Sequence, residues 1–297
     1  MIKKLLLCLL FSAAVLSLSI PAKQATNGFR VGKLAFDTPY NPSWDAKPSS
    51  EEGVQAAFNR PFRYLSHGAQ SFVFASEDNR YILKLFRGDC WAHPWRLYLR
   101  RLLPHKKRRL PLEKKMERLF SACALAYTKA KDLTGLVYIH LNPTQSLPKS
   151  VFIDCLGRRY TLDLNRVRFA VQERGKPLSQ VLLDADPQRL ERLTRSFTEL
   201  LEERTRRGIS NSDPKVYSNF GFIGDRAIEW DFGNYWLDDE LQEEAKRQAE
   251  IAIFVGKFQQ FLTRHSKVTH LLQDQIDKGL DGEKLGLRTG EIVPNGI

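Results

Sequence analysis

The apolar positions of this chain alternate at first and later recur as helical stripes. Residues 62–86 predict three strands, Phe62 to Ser66, Ser71 to Ala75 and Tyr81 to Phe86. They are divided by His67-Gly68-Ala69-Gln70 and by Glu77-Asp78-Asn79. Aromatic and β-branched content between polar turns is the strand signature. Residues 112–131 then change period. Leu112, Met116, Leu119, Phe120, Cys123 and Tyr127 keep the three-and-four spacing of one buried helical stripe, and Thr134-Gly135 ends it. Strands resume at Leu136 to Leu141, Val151 to Asp154, Arg159 to Leu164 and Arg168 to Glu173, and Gly175-Lys176-Pro177 breaks the run. A second helix spans 187–207, with Leu190, Leu193, Phe197, Leu200 and Leu201 on one stripe and Gly208 just past its end. Phe220 to Ile223 and Arg226 to Trp230 form a hairpin about Gly224-Asp225. Leu241 to Leu262 is a long helix, with Ile251, Phe254, Val255, Phe258, Phe261 and Leu262 inward, and a shorter one covers 266–280.

Strands, one helix, more strands and then helices predict an α+β chain in which a sheet-bearing lobe over 61–175 precedes a helical lobe over 176–280. Residues 26–60, rich in Pro39, Pro42 and Pro48 and without period, read as an extension or linker, and 281–297 as a tail. Residues 1–25 read as an export signal: Lys3 and Lys4, then the apolar Leu5 to Leu18, then the small Ala22 and Ala25. The alternative is an uncleaved anchor with both lysines on the cytoplasmic side. Either way the domain is expected outside the cytoplasmic membrane, periplasmic or secreted if the segment is removed.

The 297 residues carry a formal charge of +12, which favours acidic partners and says nothing about fold. Trp91, Trp95, Arg96, Tyr98, Arg100 and Arg101 open a basic, aromatic stretch that runs to Arg109. It suits an anionic membrane surface, or is a solvated, partly helical insertion; nucleic acid is not the expected partner. Beyond the leader stand Cys90, Cys123 and Cys155. An odd, widely spaced set makes no disulfide framework and no zinc site. Buried or half-buried thiols are expected, with one disulfide and a leftover thiol as the alternative.

Two places hold candidate chemistry. Lys84 interrupts an apolar strand, on the face shared by Ile82 and Phe86. There it needs a partner or a way out to water, and an edge lysine reaching outward is the alternative. The run from Asp213 to Gly233 holds Asp213, Lys215, Asn219 and Asp231 around the hairpin. Phosphoryl transfer requires these types: a lysine on phosphate oxygens, carboxylate and amide oxygens on magnesium, and a base for the acceptor hydroxyl. Lys84 would reach the phosphates, and Glu117, or else Glu113, would hold it from the helix. Asp213 would accept or steer the acceptor proton, and Asn219 and Asp231 would bind the metal.

In these motifs the chain resembles the protein-kinase-like superfamily. Gly68-Ala69-Gln70-Ser71-Phe72-Val73-Phe74 resembles a glycine-rich loop with one glycine left, and Tyr81-Ile82-Leu83-Lys84 the third-strand lysine motif. Phe169 to Leu178 resembles the hinge, Asp213-Pro214-Lys215 with Asn219 the catalytic loop, and Asp231-Phe232-Gly233 the magnesium-binding motif. The resemblance covers 62–262 and implies a two-lobed fold, an antiparallel-sheet lobe with one helix and a reduced helical lobe. It implies ATP and Mg2+ as cofactors, Gly68, Ser71, Lys84, Glu117 and Glu173 on the nucleotide side, and Asp213 and Lys215 with Lys84 in catalysis. Departures are specific. Asn219 follows Asp213 by six residues where the family has five. Asn211-Ser212 replaces the His-Arg before the aspartate, and no Ala-Pro-Glu follows Gly233. The likeness is therefore to the small-molecule, lipopolysaccharide and atypical branches. The expected function is an ATP- and Mg-dependent phosphotransferase acting on an unidentified hydroxyl acceptor. The alternatives are an inactive kinase-like module that binds a nucleotide or a partner, and a basic surface binder acting through 91–109.

Overall fold

A computed structural model describes residues 24–36, 38–46, 52–88 and 112–264. The leader up to residue 23, Cys90, the basic stretch 91–109, the expected helix 266–280 and the tail 281–297 lie outside the described residues. The chain divides into two compact units, residues 1–127 with 137–174, and residues 128–136 with 175–297. The fold is α+β. Among the described residues, no helix is long and apolar enough to cross a membrane.

The first unit is built on a sheet. Its strands are β1 (Phe62–His67), β2 (Ser71–Ser76), β3 (Tyr81–Phe86), β4 (Leu136–His140), β5 (Lys149–Ile153), β6 (Arg159–Asp163) and β7 (Phe169–Glu173). Their order is β4-β7-β3-β2-β1-β5-β6. Pairing is antiparallel from β1 through β2 and β3 to β7 and between β5 and β6, whereas β1 and β5 run parallel. The register sorts the side chains by face. Phe72 lies opposite Leu85 and Phe74 opposite Leu83, all fully buried, while Val73 lies opposite Lys84 on the other face. That second face carries Phe86, whose ring lies 5.6 Å from Phe120 of helix α2 (Leu112–Lys129). Helix α1 (Glu52–Phe58) precedes β1.

The stretch expected to be an extension or linker is part of this core. Phe29, Leu34, Val54, Ala57 and Phe58 join the cluster formed by Phe62, Phe72, Phe74, Leu83 and Leu85. Phe29 meets Phe72 and Phe74 edge to face, each at 5.2 Å, and Trp44 meets Phe120 at 5.1 Å. Asn142 donates from Nδ2 to the Asn41 carbonyl at 2.8 Å and accepts the Asn41 N–H at 3.1 Å. At Gly88 a Cβ would stand 1.7 Å from the Ala35 carbonyl oxygen, so the two backbones touch. The reason is physical. A sheet with large apolar side chains on both faces must cover both, and α2 covers one. Phe29, Leu34, Val54, Ala57 and Phe58 help cover the other, and each buried aromatic there contributes roughly 1.5–3 kcal/mol. The aperiodic, proline-bearing pattern concealed helix α1 and the burial of Phe29, Leu34, Val54 and Phe58, while Val31 and Tyr40 stay exposed.

The second unit begins with the one-turn helix α3 (Lys131–Thr134), closed by Gly135 at φ 63°. It continues with β8 (Lys176–Pro177), α4 (Leu178–Leu183), α5 (Pro187–Arg206), β9 (Ile209–Asn211), α6 (Val216–Asn219), β10 (Phe220–Ile223), β11 (Arg226–Glu229), β12 (Tyr235–Leu237) and α7 (Glu244–Arg264). Asp186 caps α5, its carboxylate accepting the Arg189 N–H at 2.8 Å. Gly208, at φ +71°, turns the chain from α5 into β9. The stripes pack as their spacing requires, with Phe197 stacked on Phe258 at 4.5 Å.

His140 is a buried titratable group of the first unit. Its ring stacks on Phe169 at 5.0 Å, and its Nδ1–H donates to the Val167 carbonyl at 2.7 Å. Burial pushes its pKa down to about 4, with the nearby Arg168 charge acting the same way. The unfolded chain protonates near the ordinary 6.5 while the folded one stays neutral, so stability is lost as pH falls from there toward 4. Relative to a His140→Gln control, the wild type is expected to lose up to about 2 kcal/mol between pH 7.5 and pH 5. Urea midpoints at the two pH values measure this, and equal losses in both proteins would refute it.

Candidate functional site

The run from Asp213 to Gly233 is bracketed by β9 and β12, which pair antiparallel with Asn211 opposite Tyr235. Between them the chain makes a tight loop, a turn of helix, a hairpin and a second loop. Pro214 sits in the first loop. There the Lys215 N–H donates to the Asp213 carbonyl at 2.8 Å and the Val216 N–H to the Pro214 carbonyl at 3.0 Å. Helix α6 follows at once and ends on Asn219. One turn of helix takes up the added residue between Asp213 and Asn219 without parting them. The Asn219 Nδ2 donates to the Asp213 carbonyl at 3.1 Å.

Asn219 also reaches the far end of the run. Its carbonyl accepts the Trp230 N–H at 2.9 Å and the Asp231 N–H at 3.4 Å. The β10–β11 hairpin makes this possible by returning the chain through Gly224, at φ +62°, with Phe220 opposite Glu229. The Trp230 indole N–H donates to the Ser218 carbonyl at 2.7 Å, a third tie across the same gap. Asp213, Asn219 and Asp231 are therefore held on adjoining backbone by bonds that meet at Asn219 and its neighbour Ser218.

Lys215 Nζ lies 3.1 Å from Asp213 Oδ2. The bond to Asp213, then the Asp213, Tyr217 and Asp231 charges, raise the lysine above its ordinary value. Tyr217 is exposed on α6, and Asp231 is exposed at the strand end. Asn219 is buried, and its Oδ1 accepts from Ser218 Oγ at 2.9 Å. The Asp231 Oδ1 accepts a long contact, 3.5 Å, from the Gly233 N–H. Amide and carboxylate oxygens are the donors that magnesium takes, usually one or two from protein with the rest from water and phosphate. Asn219 and Asp231 fit that description. Among the described residues, no cluster of three or more His, Cys, Asp or Glu has metal-binding spacing.

The first unit holds the other expected residues. Lys84 is half-buried in β3, between Val73 of β2 and Ala170 of β7, on the face that carries Phe86 onto α2. Gly68 and Ser71 close the β1–β2 turn, where the Gly68 N–H donates to the Ser71 carbonyl at 2.9 Å. A Cβ on Gly68 would meet nothing within 4 Å. Glu117 is exposed on α2, off the buried stripe of Met116, Leu119, Phe120 and Cys123. Glu173 is half-buried at the end of β7, opposite Tyr81. Cys123 is buried and Cys155 exposed.

Beneath the run lies a buried charged cluster that strand and stripe patterns did not disclose. Arg204, fully buried on α5, donates from Nη1 to Glu229 Oε2 and from Nη2 to Glu250 Oε1, each at 2.7 Å. Tyr235 Oη donates to Glu229 Oε2 at 2.6 Å, and Ser210 Oγ to Glu250 Oε2 at 2.5 Å. The guanidinium lies 4.4 Å from the Phe254 ring centre. Burial works against the charge on Arg204, yet Glu229, Tyr235 and Glu250 hold its pKa above the ordinary value. A signal was available. Arg204 sits four residues after Leu200 and Glu250 four before Phe254, so both occupy stripe positions where charge demands a partner.

No protein-family model matches this chain, and no curated protein matches it by sequence. Solved structures do. One is WbdD, a bifunctional kinase-methyltransferase, at 17% identity and a TM-score of 0.36, covering 68% of this chain and 38% of that one. Another is the ROP18 kinase domain in complex with AMP-PNP and sucrose, at 18% and 0.32, covering 59% and 51%. A third is APH(2″)-IIa in its gentamicin complex, at 12% and 0.31, covering 81% and 94%. The chain thus spans 38% of WbdD and 51% of the ROP18 kinase domain. The neighbours are kinase-like proteins. At these scores they assign no role to any residue.

Gly221 is the packing point on which the hairpin depends. A Cβ there would stand 2.1 Å from the Trp230 ring and 2.5 Å from the Lys176 carbonyl oxygen. Gly221→Ala is expected to cost roughly 1–3 kcal/mol, since the contact to backbone cannot relax by rotation alone. Thermal unfolding measures it, and an unchanged midpoint would refute the packing role.

Proposed function

We propose that this chain is a kinase-like phosphotransferase that uses ATP and magnesium to phosphorylate a hydroxyl group on an acceptor. The observation that carries this reading is Asn219. One residue ties Asp213 through its side chain and Asp231 through its main chain. In this reading Asp213 takes or steers the acceptor proton, and Lys215, bonded to Asp213, is placed to meet negative charge that develops beside it. Asn219 and Asp231 hold the metal, which when bound would neutralise charge on the phosphate oxygens. Lys84 holds the phosphates, with Gly68 and Ser71 at the turn and Glu117 and Glu173 on the nucleotide side. The kinase-like neighbours support a phosphotransferase fold. A second reading, a kinase-like module that binds nucleotide without turnover, is favoured by the β1–β2 turn, where Ala69 and Gln70 stand beside the lone Gly68.

The domain from Lys23 onward tests both readings. Magnesium-dependent binding of ATP at a hundredfold excess over its Kd stabilises the native state by about 2.7 kcal/mol, or roughly 2–4 °C in Tm for each kcal/mol. Lys84→Ala and Asp231→Ala should each abolish that upshift, and Asp231→Ala should lower ADP release from ATP at least about a hundredfold. Upshift without turnover would leave only the binding module, and the absence of any upshift at millimolar Mg-ATP would sink both.

We also propose that the chain is exported, with residues 1–22 removed, so that its acceptor belongs to the envelope or to the outside. The charged, apolar and small-residue succession of the leader supports this. N-terminal sequencing of the protein recovered from cells should begin at Lys23. Recovery of the intact leader in the membrane fraction would replace export with anchoring.

A further inference from the structure

We propose that Glu229 is a positioning residue that sets the base-bearing and metal-bearing segments against each other, acting on Asp213 through Asn211. The inference rests on the phosphotransferase reading and names a device within that same site. Asn211 Nδ2 donates to Glu229 Oε1 at 2.6 Å, and Asn211 Oδ1 accepts the Asp213 N–H at 2.9 Å. Both Glu229 and Asn211 are buried, Glu229 completely. A carboxylate can only accept, so the amide of Asn211 has one orientation open to it. Turned over, its oxygen would face the Glu229 oxygen at the distance of a strong hydrogen bond. The carboxylate therefore dictates that an acceptor is presented to the Asp213 N–H.

The same glutamate ends β11, two residues before Asp231, and the intervening backbone is pinned by the Trp230 and Asp231 N–H groups on the Asn219 carbonyl. One buried carboxylate thus lies on the path to both functional aspartates. Arg204 and Tyr235 occupy its second oxygen, which leaves the first for Asn211. Glu250 keeps part of the Arg204 charge compensated and accepts the Asn211 N–H at 3.2 Å, so β9 is held from two sides.

Substitution separates positioning from mere support. Glu229→Gln keeps the volume but brings a donor that must oppose either Asn211 or Arg204. Asn211→Leu keeps the bulk of the side chain and removes both the acceptor for the Asp213 N–H and the donor to Glu229. Asn211→Ala leaves the Arg204–Glu229–Glu250 bonds in place, and it carries the test if Glu229→Gln does not fold. In the unliganded domain, exchange of the Asp213 amide hydrogen should quicken about tenfold or more in each variant. With Mg-ATP and water as acceptor, kcat for ADP release should fall about 10- to 100-fold while KM for Mg-ATP stays within about twofold. The double variant Glu229→Gln/Asn211→Ala should lose no more than the worse single one, because the two act in series.

Wild-type exchange and kcat in Asn211→Leu, or additive losses in the double variant, would overturn the inference while leaving the phosphotransferase reading intact. A wild-type domain that neither shifts its Tm nor releases ADP would overturn both.

Discussion

The buried bonds of Arg204 with Glu229 and Glu250 are the constraint on which the second unit depends. They join α5, β11 and α7, and through Ser210 and Asn211 they take in β9 as well. Charges this deep are costly to desolvate, and removing one partner from such a pair typically costs about 3–5 kcal/mol. The cluster is therefore a poor source of net stability but a strong source of uniqueness. The bonds of Glu229, Glu250 and Asn211 each have specific partners, so β9 and β11 have little freedom to slide. The loops that leave those two strands carry Asp213 and Asp231.

The first unit meets a different constraint. Its sheet is apolar on both faces, and Lys84 lies on the face that also carries Phe86 onto α2. The opposite face, with Phe72, Phe74, Leu83 and Leu85, packs against Phe29, Leu34, Val54, Ala57 and Phe58. Rigidity on that side has a functional reading. In the proposed reading Lys84 meets phosphate, and a strand packed on both faces and paired on both edges holds its alternate residues in register.

The departures from the kinase pattern acquire physical explanations. The residue added between Asp213 and Asn219 is absorbed by one turn of helix, and the asparagine still bonds the aspartate's carbonyl. Where the family carries His-Arg, this chain has Asn211-Ser212, and Asn211 bonds both Glu229 and the Asp213 N–H. A different side chain, supported by a buried carboxylate, holds the aspartate's backbone.

Much of this was written in the sequence, because period and turn chemistry act over a few residues. Alternation placed β1, β2, β3 and the β10–β11 hairpin, and three-and-four stripes placed α2, α5 and α7. Gly135, Gly208 and Gly224 marked turns that the backbone makes at positive φ. The identities of Asp213, Lys215, Asn219 and Asp231 were legible for the same reason, since they fall within one short run. Tertiary structure alone decided what residues 29–58 do, because whether a scattered phenylalanine is needed depends on a sheet face formed elsewhere in the chain. It alone decided that Arg204, Glu229 and Glu250 meet, across separations of 25 and 46 residues. Sequence can show that a charge stands where an apolar residue belongs; which opposite charge answers it depends on how the helices and strands pack.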